Sequence, residues 1–246
     1  VYKRAPFSVE AKEGALFVDG KEVKFLQEKD PAALPWKDLG IDVVIESTGF
    51  FTKYEDAQKH IEAGAKHVVI SAPAKGDESI GATILMGVNE EKFGTCPVTS
   101  NGSCTTNASS PVIKILDEAI GMEKAILSTT HAYTASQAIV DGPAKKDMKE
   151  GRAAAQNIVP TSTGAAIAVT KAYTPLEGNF DGISLRVPVP AGSIADITFI
   201  AKRDTTAEEV NQIRRDAAKK PEWEGIFDAT DDELVSSDIV GEPYAS

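Results

Sequence analysis

Side chains able to do covalent chemistry near neutral pH are scarce in this 246-residue sequence, which has two cysteines and three histidines. Cys104 lies in Ser100-Asn101-Gly102-Ser103-Cys104-Thr105-Thr106-Asn107, at the predicted start of a helix. Unpaired N–H groups there favour an anion and draw a thiol toward thiolate, the attacking species in covalent catalysis. The competing reading is an inert buried cysteine, although Ser, Thr and Asn neighbours do not make an apolar niche. His131 follows an apolar run and opens a long polar stretch, where a sheet commonly presents a side chain to a site. Beside a thiol it would raise the thiolate fraction and then shuttle protons; taken alone, it reads equally as a core or surface histidine. His60, read on a helix surface, and His67, opening a strand, are taken as structural or solvated.

Hydroxyl-rich turns form a third group: Ser103 with Thr105, Thr134, and Thr161-Ser162-Thr163-Gly164 ahead of a helix. Helix N-termini with hydroxyls and glycine bind phosphate, and ordinary N-capping is the simpler explanation of any one of them. Arg186 stands inside the apolar run Ile183-Ser184-Leu185-Arg186-Val187-Pro188 and needs an anionic partner, either a structural carboxylate or a bound anion. Glu46-Ser47-Thr48-Gly49-Phe50 and Ser71-Ala72-Pro73 each end an apolar run. Open α/β sheets bind ligands beyond the carboxyl ends of their strands. No Gly-x-Gly-x-x-Gly opens the chain, so spacing alone does not establish a dinucleotide site.

The elements that must position these residues are legible as periodicities. Residues 7–26 alternate apolar and polar with a turn at Asp19-Gly20, a hairpin signal. Residues 41–45 read as a buried strand and residues 53–63 as an amphipathic helix with Tyr54, Ala57 and Ile61 inward, stopped at Gly64. Residues 68–70 read as a second buried strand, completing a βαβ unit with a parallel sheet, and 83–86 as a further strand. A helix over 104–119, a strand over 124–130 and a long loop over 134–157 come next. A helix from Thr163, strands near 182–189 and 194–202, and a helix over 207–218 with Val210 and Ile213 inward complete the pattern. Strict alternation ends near residue 102, which predicts an α/β unit with a parallel sheet before it and a second domain of α+β type after it.

Composition narrows the function. An apolar content of 42% is enough to bury a real core. A net charge of −11 repels phosphate backbones, which argues against nucleic acid as the main partner. No run approaches the roughly 20 apolar residues of a membrane span. Two cysteines are too few for a disulfide framework, make no zinc pattern, and fit a reducing, cytoplasmic setting.

The motifs together resemble one family. Ser-Asn-Gly-Ser-Cys-Thr-Thr-Asn, His131-Ala132-Tyr133-Thr134, Val159-Pro160-Thr161-Ser162-Thr163-Gly164 and Leu185-Arg186-Val187-Pro188 resemble phosphorylating glyceraldehyde-3-phosphate dehydrogenases, in that family's order. Ile45-Glu46-Ser47-Thr48-Gly49 and Ile70-Ser71-Ala72-Pro73 resemble its cofactor domain, and the resemblance covers nearly all of the chain. It implies that Cys104 attacks an aldehyde, that His131 serves as acid and base, and that hydride transfer to NAD leaves a thioester which inorganic phosphate cleaves. It further implies Thr134 and Arg186 at the substrate phosphate, and Ser103, Thr105, Thr163 and Gly164 at the attacking phosphate. Ser47, Thr48, Gly49 and Ser71 are expected to line the cofactor cleft of an α/β, partial Rossmann-type dinucleotide-binding domain over 1–102, followed by an α+β catalytic domain with a mixed sheet over 103–246. Glyceraldehyde 3-phosphate and inorganic phosphate are the implied substrates, a homotetramer the implied assembly, and no metal is expected. NADP stays open beside NAD, and erythrose-4-phosphate dehydrogenase is the enzymatic alternative.

Departures from the family pattern are local. Lys149 or Glu150 stands where an arginine is usual in Lys146-Asp147-Met148-Lys149-Glu150-Gly151-Arg152, Ile167 where a lysine is common, and Lys29 where an arginine often flanks adenine. The family's opening strand with its glycine-rich turn, and its closing strands and helix, have no counterpart in these residues. The chain therefore reads as truncated at both ends, and by itself it is expected to bind NAD poorly and to be inactive, leaving at most a binding role.

Overall fold

The computed structural model describes residues 4–12, 14–144 and 147–244. The alternating opening segment forms three strands, β1 (Val9–Lys12), β2 (Ala15–Val18) and β3 (Lys21–Val23), in an antiparallel sheet of that order. Asp19 (φ 46°) and Gly20 (φ 75°) both turn left-handed between β2 and β3. That conformation matches the twist of a two-residue hairpin, as the Asp-Gly pair predicts.

The βαβ unit follows. Strand β4 (Val43–Glu46) leads through helices α1 (Tyr54–Ala57) and α2 (Lys59–Glu62) to β5 (His67–Ile70), and then come β6 (Gly81–Thr83) and β7 (Val98–Ser100). The sheet is wholly parallel in the order β4-β5-β7-β6, so its carboxyl ends share one edge. Val44, Tyr54, Ala57, Val68, Ile70 and Val98 form its core.

Three expectations change here. The single helix over 53–63 is two short helices, because the ladder slips to an i−3 bond from Ile61 N to Gln58 O (2.8 Å). His60 is buried rather than on the surface, because its face of α2 turns toward Trp36 and Glu46. The strand expected over 83–86 stops at Thr83: the Asn89 side chain takes the Leu85 N–H (2.8 Å) and donates to the Thr83 carbonyl (2.8 Å), replacing a strand ladder.

The second unit begins with α3 (Cys104–Ile120), followed by β8 (Met122–Ala132), β9 (Val159–Ser162), α4 (Ala165–Ala172), β10 (Phe180–Val187), β11 (Ser193–Ala201) and α5 (Ala207–Ala218). Its sheet runs β11-β8-β10-β9 and is mixed: β8 and β10 are parallel, and β11 and β9 flank them antiparallel. Leu127 and Phe180 on its inner face pack with Ile113 and Leu116 of α3 and Val169 of α4, and Val210 and Ile213 of α5 close the edge. Its outer face leaves Ile126, Ile183, Ile194 and Ile200 each more than half exposed. Pro111 lies buried inside α3, where it lacks the N–H that a helix would direct at the Asn107 carbonyl.

The long loop folds back on itself through Ala138 N to Glu150 O (2.8 Å), Gly142 N to Gly151 O (2.8 Å) and Ala154 N to Ala138 O (3.0 Å). Lys146 of its departure from the family pattern lies outside the described residues. Lys149 pairs with Asp147 and Arg152 with Asp141 in exposed ion pairs, and Ile167 is exposed on α4. Among the described residues no helix is long and apolar enough to cross a membrane.

Candidate active site

Strand β7 ends at Ser100, and after three intervening residues α3 begins with Cys104. The turn between them is pinned. Ser100 Oγ donates to the Ala72 carbonyl (2.7 Å) and accepts from Gly102 N (3.1 Å), while Asn107 Nδ2 donates to the carbonyls of Asn101 (2.7 Å) and Ser103 (2.9 Å). Ser103 caps α3 reciprocally: its Oγ accepts from Thr106 N (3.0 Å) and Thr106 Oγ1 accepts from Ser103 N (3.1 Å). Such a cap stabilises a helix by about 1 kcal/mol. Here it also fixes where the first helical residue points. Cys104 is solvent-exposed and opens onto a cleft of about 960 Å³ that Asn107 also lines.

His131 comes from the other unit, next to last on β8, and its Nε2 lies 3.3 Å from Cys104 Sγ. The resulting hydrogen bond is the main reason the thiol is lowered to about 7; partial burial opposes it, and Thr105, with Oγ1 4.0 Å from Sγ, adds a little. The same bond raises His131, with burial and Arg186 working against the rise. A thiol poised near neutrality beside a histidine is a nucleophile with its base attached. Cys96 offers a contrast within the same chain: it is half-buried and its Sγ donates to the Val98 carbonyl at 3.3 Å. Cys104 is therefore expected to alkylate at least about tenfold faster than Cys96 at pH 7, as activated thiols do. A short iodoacetamide pulse with peptide mapping reads this directly, and equal labelling of the two thiols in folded protein would remove Cys104 from the site.

Arg186 is the register neighbour of His131 across the parallel pair β8–β10. Its Nη1 lies 2.5 Å from His131 Nδ1 and 3.4 Å from the Ala132 carbonyl, and that carbonyl is 2.7 Å from the same Nδ1. One ring nitrogen cannot serve both: facing the carbonyl it carries a proton, facing the guanidinium it offers a lone pair. Among the described residues Arg186 makes no salt bridge, and its Nε is buried without a partner. Burial pulls the guanidinium below its ordinary pKa. Among the described residues no carboxylate comes within ion-pair distance of this arginine; the charge of Glu150 reaches it only from farther off.

The remaining expected residues fall into two places. Thr163 Oγ1 accepts from Ala165 N (3.1 Å) at the start of α4, with Gly164 exposed beside it and nothing within 4 Å of where a Cβ would stand. Thr134 Oγ1 and N both reach Gln137 Oε1, at 3.1 and 2.8 Å, so its hydroxyl is engaged in a local turn. Ser47, Thr48, Gly49 and Ser71 are exposed at the carboxyl ends of β4 and β5, on the edge from which the Cys104 turn also departs. The Ser71 N–H donates to the Glu46 carbonyl (2.9 Å) and Asn101 N–H to the Ile70 carbonyl (3.2 Å), tying the three turns together. Asn101 and Asn107 were not singled out from sequence. Their signal lay in the cysteine motif, where two asparagines six apart bracket the helix start.

Comparison with known proteins identifies the family. The family described as glyceraldehyde 3-phosphate dehydrogenase, C-terminal domain, matches residues 103–246, and the corresponding NAD binding domain matches residues 1–54. The glyceraldehyde-3-phosphate dehydrogenase of Streptomyces coelicolor is 51% identical over 233 residues, covering 94% of this chain and 68% of that protein. The enzyme of Clostridium pasteurianum is 49% identical over 240 residues (97% and 70%), and that of Chlamydia pneumoniae 45% identical over 245 (99% and 72%). With a thiol–histidine pair and an arginine beside the same imidazole at the junction of a parallel and a mixed sheet, and relatives matched over most of its length, the chain belongs to the glyceraldehyde-3-phosphate dehydrogenase family.

Proposed function

We propose that Cys104 and His131 carry out the oxidative phosphorylation of glyceraldehyde 3-phosphate to 1,3-bisphosphoglycerate, through a thioester on Cys104. The protein is an NAD-dependent oxidoreductase of glycolysis by its family membership. The observation that carries the assignment of residues is the 3.3 Å contact between Cys104 Sγ and His131 Nε2, with Arg186 alongside the same imidazole. Thiolate attack on the aldehyde carbon forms a C–S bond and an alkoxide, which imidazolium Nε2–H and the Cys104 backbone N–H at the start of α3 stabilise. The imidazolium passes its Nε2 proton to the alkoxide, and the neutral His131 so formed takes that hydroxyl proton back as the carbon is oxidised. NAD, when bound, supplies the acceptor for the hydride. Phosphate attack on the thioester carbon forms the acyl phosphate and releases the thiolate.

Arg186 explains why a phosphorylated substrate suits this pair. When His131 is protonated, a guanidinium at its Nδ1 is repelled. A substrate phosphate offers Arg186 a better partner and draws it away, leaving Nδ1–H to the Ala132 carbonyl. In the same reading Thr134 completes the substrate-phosphate site, and Ser103, Thr105, Thr163 and Gly164 hold the attacking phosphate. Arg186→Leu is expected to lower kcat/KM for glyceraldehyde 3-phosphate about 10- to 100-fold more than for glyceraldehyde, the scale of charge-assisted bonds only the phosphate can make. An equal loss for both aldehydes would make Arg186 structural.

The cofactor edge fits a dinucleotide through its donor set: exposed Ser47, Thr48 and Ser71, open space over Gly49, and parallel strand ends beneath them. Residues 1–102 form the cofactor-binding unit and 103–246 the catalytic one. The exposed isoleucine face of the mixed sheet supports a homotetramer, since an apolar sheet face of this kind marks a subunit contact. Two free thiols support a reducing, cytoplasmic setting. Phosphate-dependent and aldehyde-dependent NADH formation tests the function as a whole, and turnover indifferent to phosphate would overturn it.

A further inference from the structure

The parallel-sheet unit buries two polar side chains that the chemistry at Cys104 does not use. Glu46 and His60 are each only 4% exposed, and they meet at 3.0 Å between Oε2 and Nε2. On the far side His60 Nδ1 lies 3.0 Å from Trp36 Nε1. An indole N–H can only donate. Nδ1 must therefore be the acceptor, so the proton sits on Nε2 and is donated to Glu46. Trp36 cannot easily move: Lys37 N donates to the Ala63 carbonyl at 3.1 Å, and a Cβ on Gly64 would stand 2.5 Å from Lys37 Cβ.

The other end of this chain of bonds is the turn after β4. Glu46 Oε1 accepts from Thr48 N at 2.8 Å and also from the Thr48 hydroxyl, and Thr48 Oγ1 in turn accepts from Phe50 N at 3.2 Å. Among the described residues, every donor to the Glu46 carboxylate is thus either His60 or the 47–50 turn. Burying a carboxylate and an imidazole is costly, and apolar residues of similar size would commonly stabilise the core as well or better. The arrangement makes sense if what matters is the shape of the turn. With its proton committed to Glu46, the Thr48 hydroxyl is also barred from donating outward.

We propose that Trp36, His60 and Glu46 are positioning residues: a hydrogen-bond relay, donated from Trp36 through His60 and met at the Glu46 carboxylate by the donors of Thr48, holds the 47–50 turn in the conformation that meets the cofactor. The proposal rests on the reading of Ser47, Thr48 and Gly49 as cofactor contacts. The relay does not touch Cys104 or His131 by any hydrogen bond among the described residues, so its loss should act on binding and leave thiol reactivity alone.

The test uses His60→Leu, which removes the donor at similar volume, His60→Gln, which restores an N–H at comparable reach, and Trp36→Phe, which removes the indole N–H while keeping an aromatic ring. Three readouts are taken: NAD affinity by calorimetry, hydrogen exchange of the peptide spanning 47–51 by mass spectrometry, and iodoacetamide rate at Cys104. His60→Leu is expected to weaken NAD and speed exchange in the 47–51 peptide by roughly tenfold each, the scale of one hydrogen bond to a charged group. Trp36→Phe should give the same direction with a smaller change, His60→Gln should recover most of the affinity, and Cys104 should alkylate within about twofold of the unaltered rate in all three. If His60→Leu does not fold, Trp36→Phe carries the comparison. Gly49→Val, which strains a residue at φ 77°, separates the two ideas. Weaker NAD binding in Gly49→Val with no change in affinity or exchange in the relay variants overturns the relay. Unchanged NAD binding in Gly49→Val overturns the cofactor reading of the turn, and the relay's purpose with it.

Discussion

In the full-length protein, Cys104→Ser is expected to lower kcat for phosphate-dependent aldehyde oxidation by about 10⁴-fold or more, the scale seen when a covalent nucleophile is removed. The substitution keeps the shape and the first turn of α3, and because Cys104 is exposed it should leave folding unchanged. It removes the ionisation. The thiol is brought to about 7 chiefly by its bond to His131, so a substantial fraction is thiolate at neutral pH. A serine hydroxyl ionises many units higher, and one hydrogen bond of the same kind cannot close that gap. Pre-steady-state NADH formation should lose its burst, and NAD affinity should be unchanged. Residual turnover above a few per cent would mean that the C–S bond is not on the reaction path.

His131→Asn is expected to slow the chemical step by roughly 10²- to 10⁴-fold, the usual worth of a positioned acid/base. Asparagine can keep a donor toward the Ala132 carbonyl but leaves nothing at the Nε2 position, 3.3 Å from the thiol. The sign of the pH effect follows. His131 is the largest cause of the lowered Cys104 pKa, so its removal raises that pKa toward the ordinary thiol value. The thiolate then appears only at more alkaline pH: alkylation in the unaltered protein should rise through about 7, and in the variant the rise should shift upward. The rate at pH 7 falls and is recovered as pH increases. An alkylation profile identical in the two proteins would detach His131 from the thiol.

Local pattern made much of this legible. The Ser-Asn-Gly-Ser-Cys run carries its own N-cap and helix start, and α3 begins at Cys104 as expected. Asp19-Gly20 specifies a turn by conformational permissiveness alone. What pattern could not express is register. Arg186 meets His131 because two strands 55 residues apart pair in parallel with those residues opposite, and nothing in either strand's sequence states that pairing. The competing readings of Arg186 narrowed only once its surroundings were known. His60 failed for a related reason: a polar residue on a short amphipathic helix reads as solvated until Trp36, itself 24 positions away, is seen to cover it. Strand β9, with Pro160 within it, went unread because proline argues against a central strand, and here it lies on the sheet's edge.

Strand β8 runs between β10 and β11, so His131 is flanked by a paired neighbour on each side, Arg186 and Ser193. The 47–50 and 71–73 turns hang instead from the open ends of short strands. Proteins open locally long before they unfold globally, and exposed turns open first. In mild denaturant or on warming, inactivation is therefore expected to come in two stages. The first costs the protein its hold on NAD while Cys104 still labels rapidly; the second, at the cooperative melt of the mixed sheet, disarms the thiol. Between the two lies an interval in which the protein can capture an aldehyde yet not oxidise it, so a heat-stressed sample would sequester substrate reversibly and regain turnover on cooling.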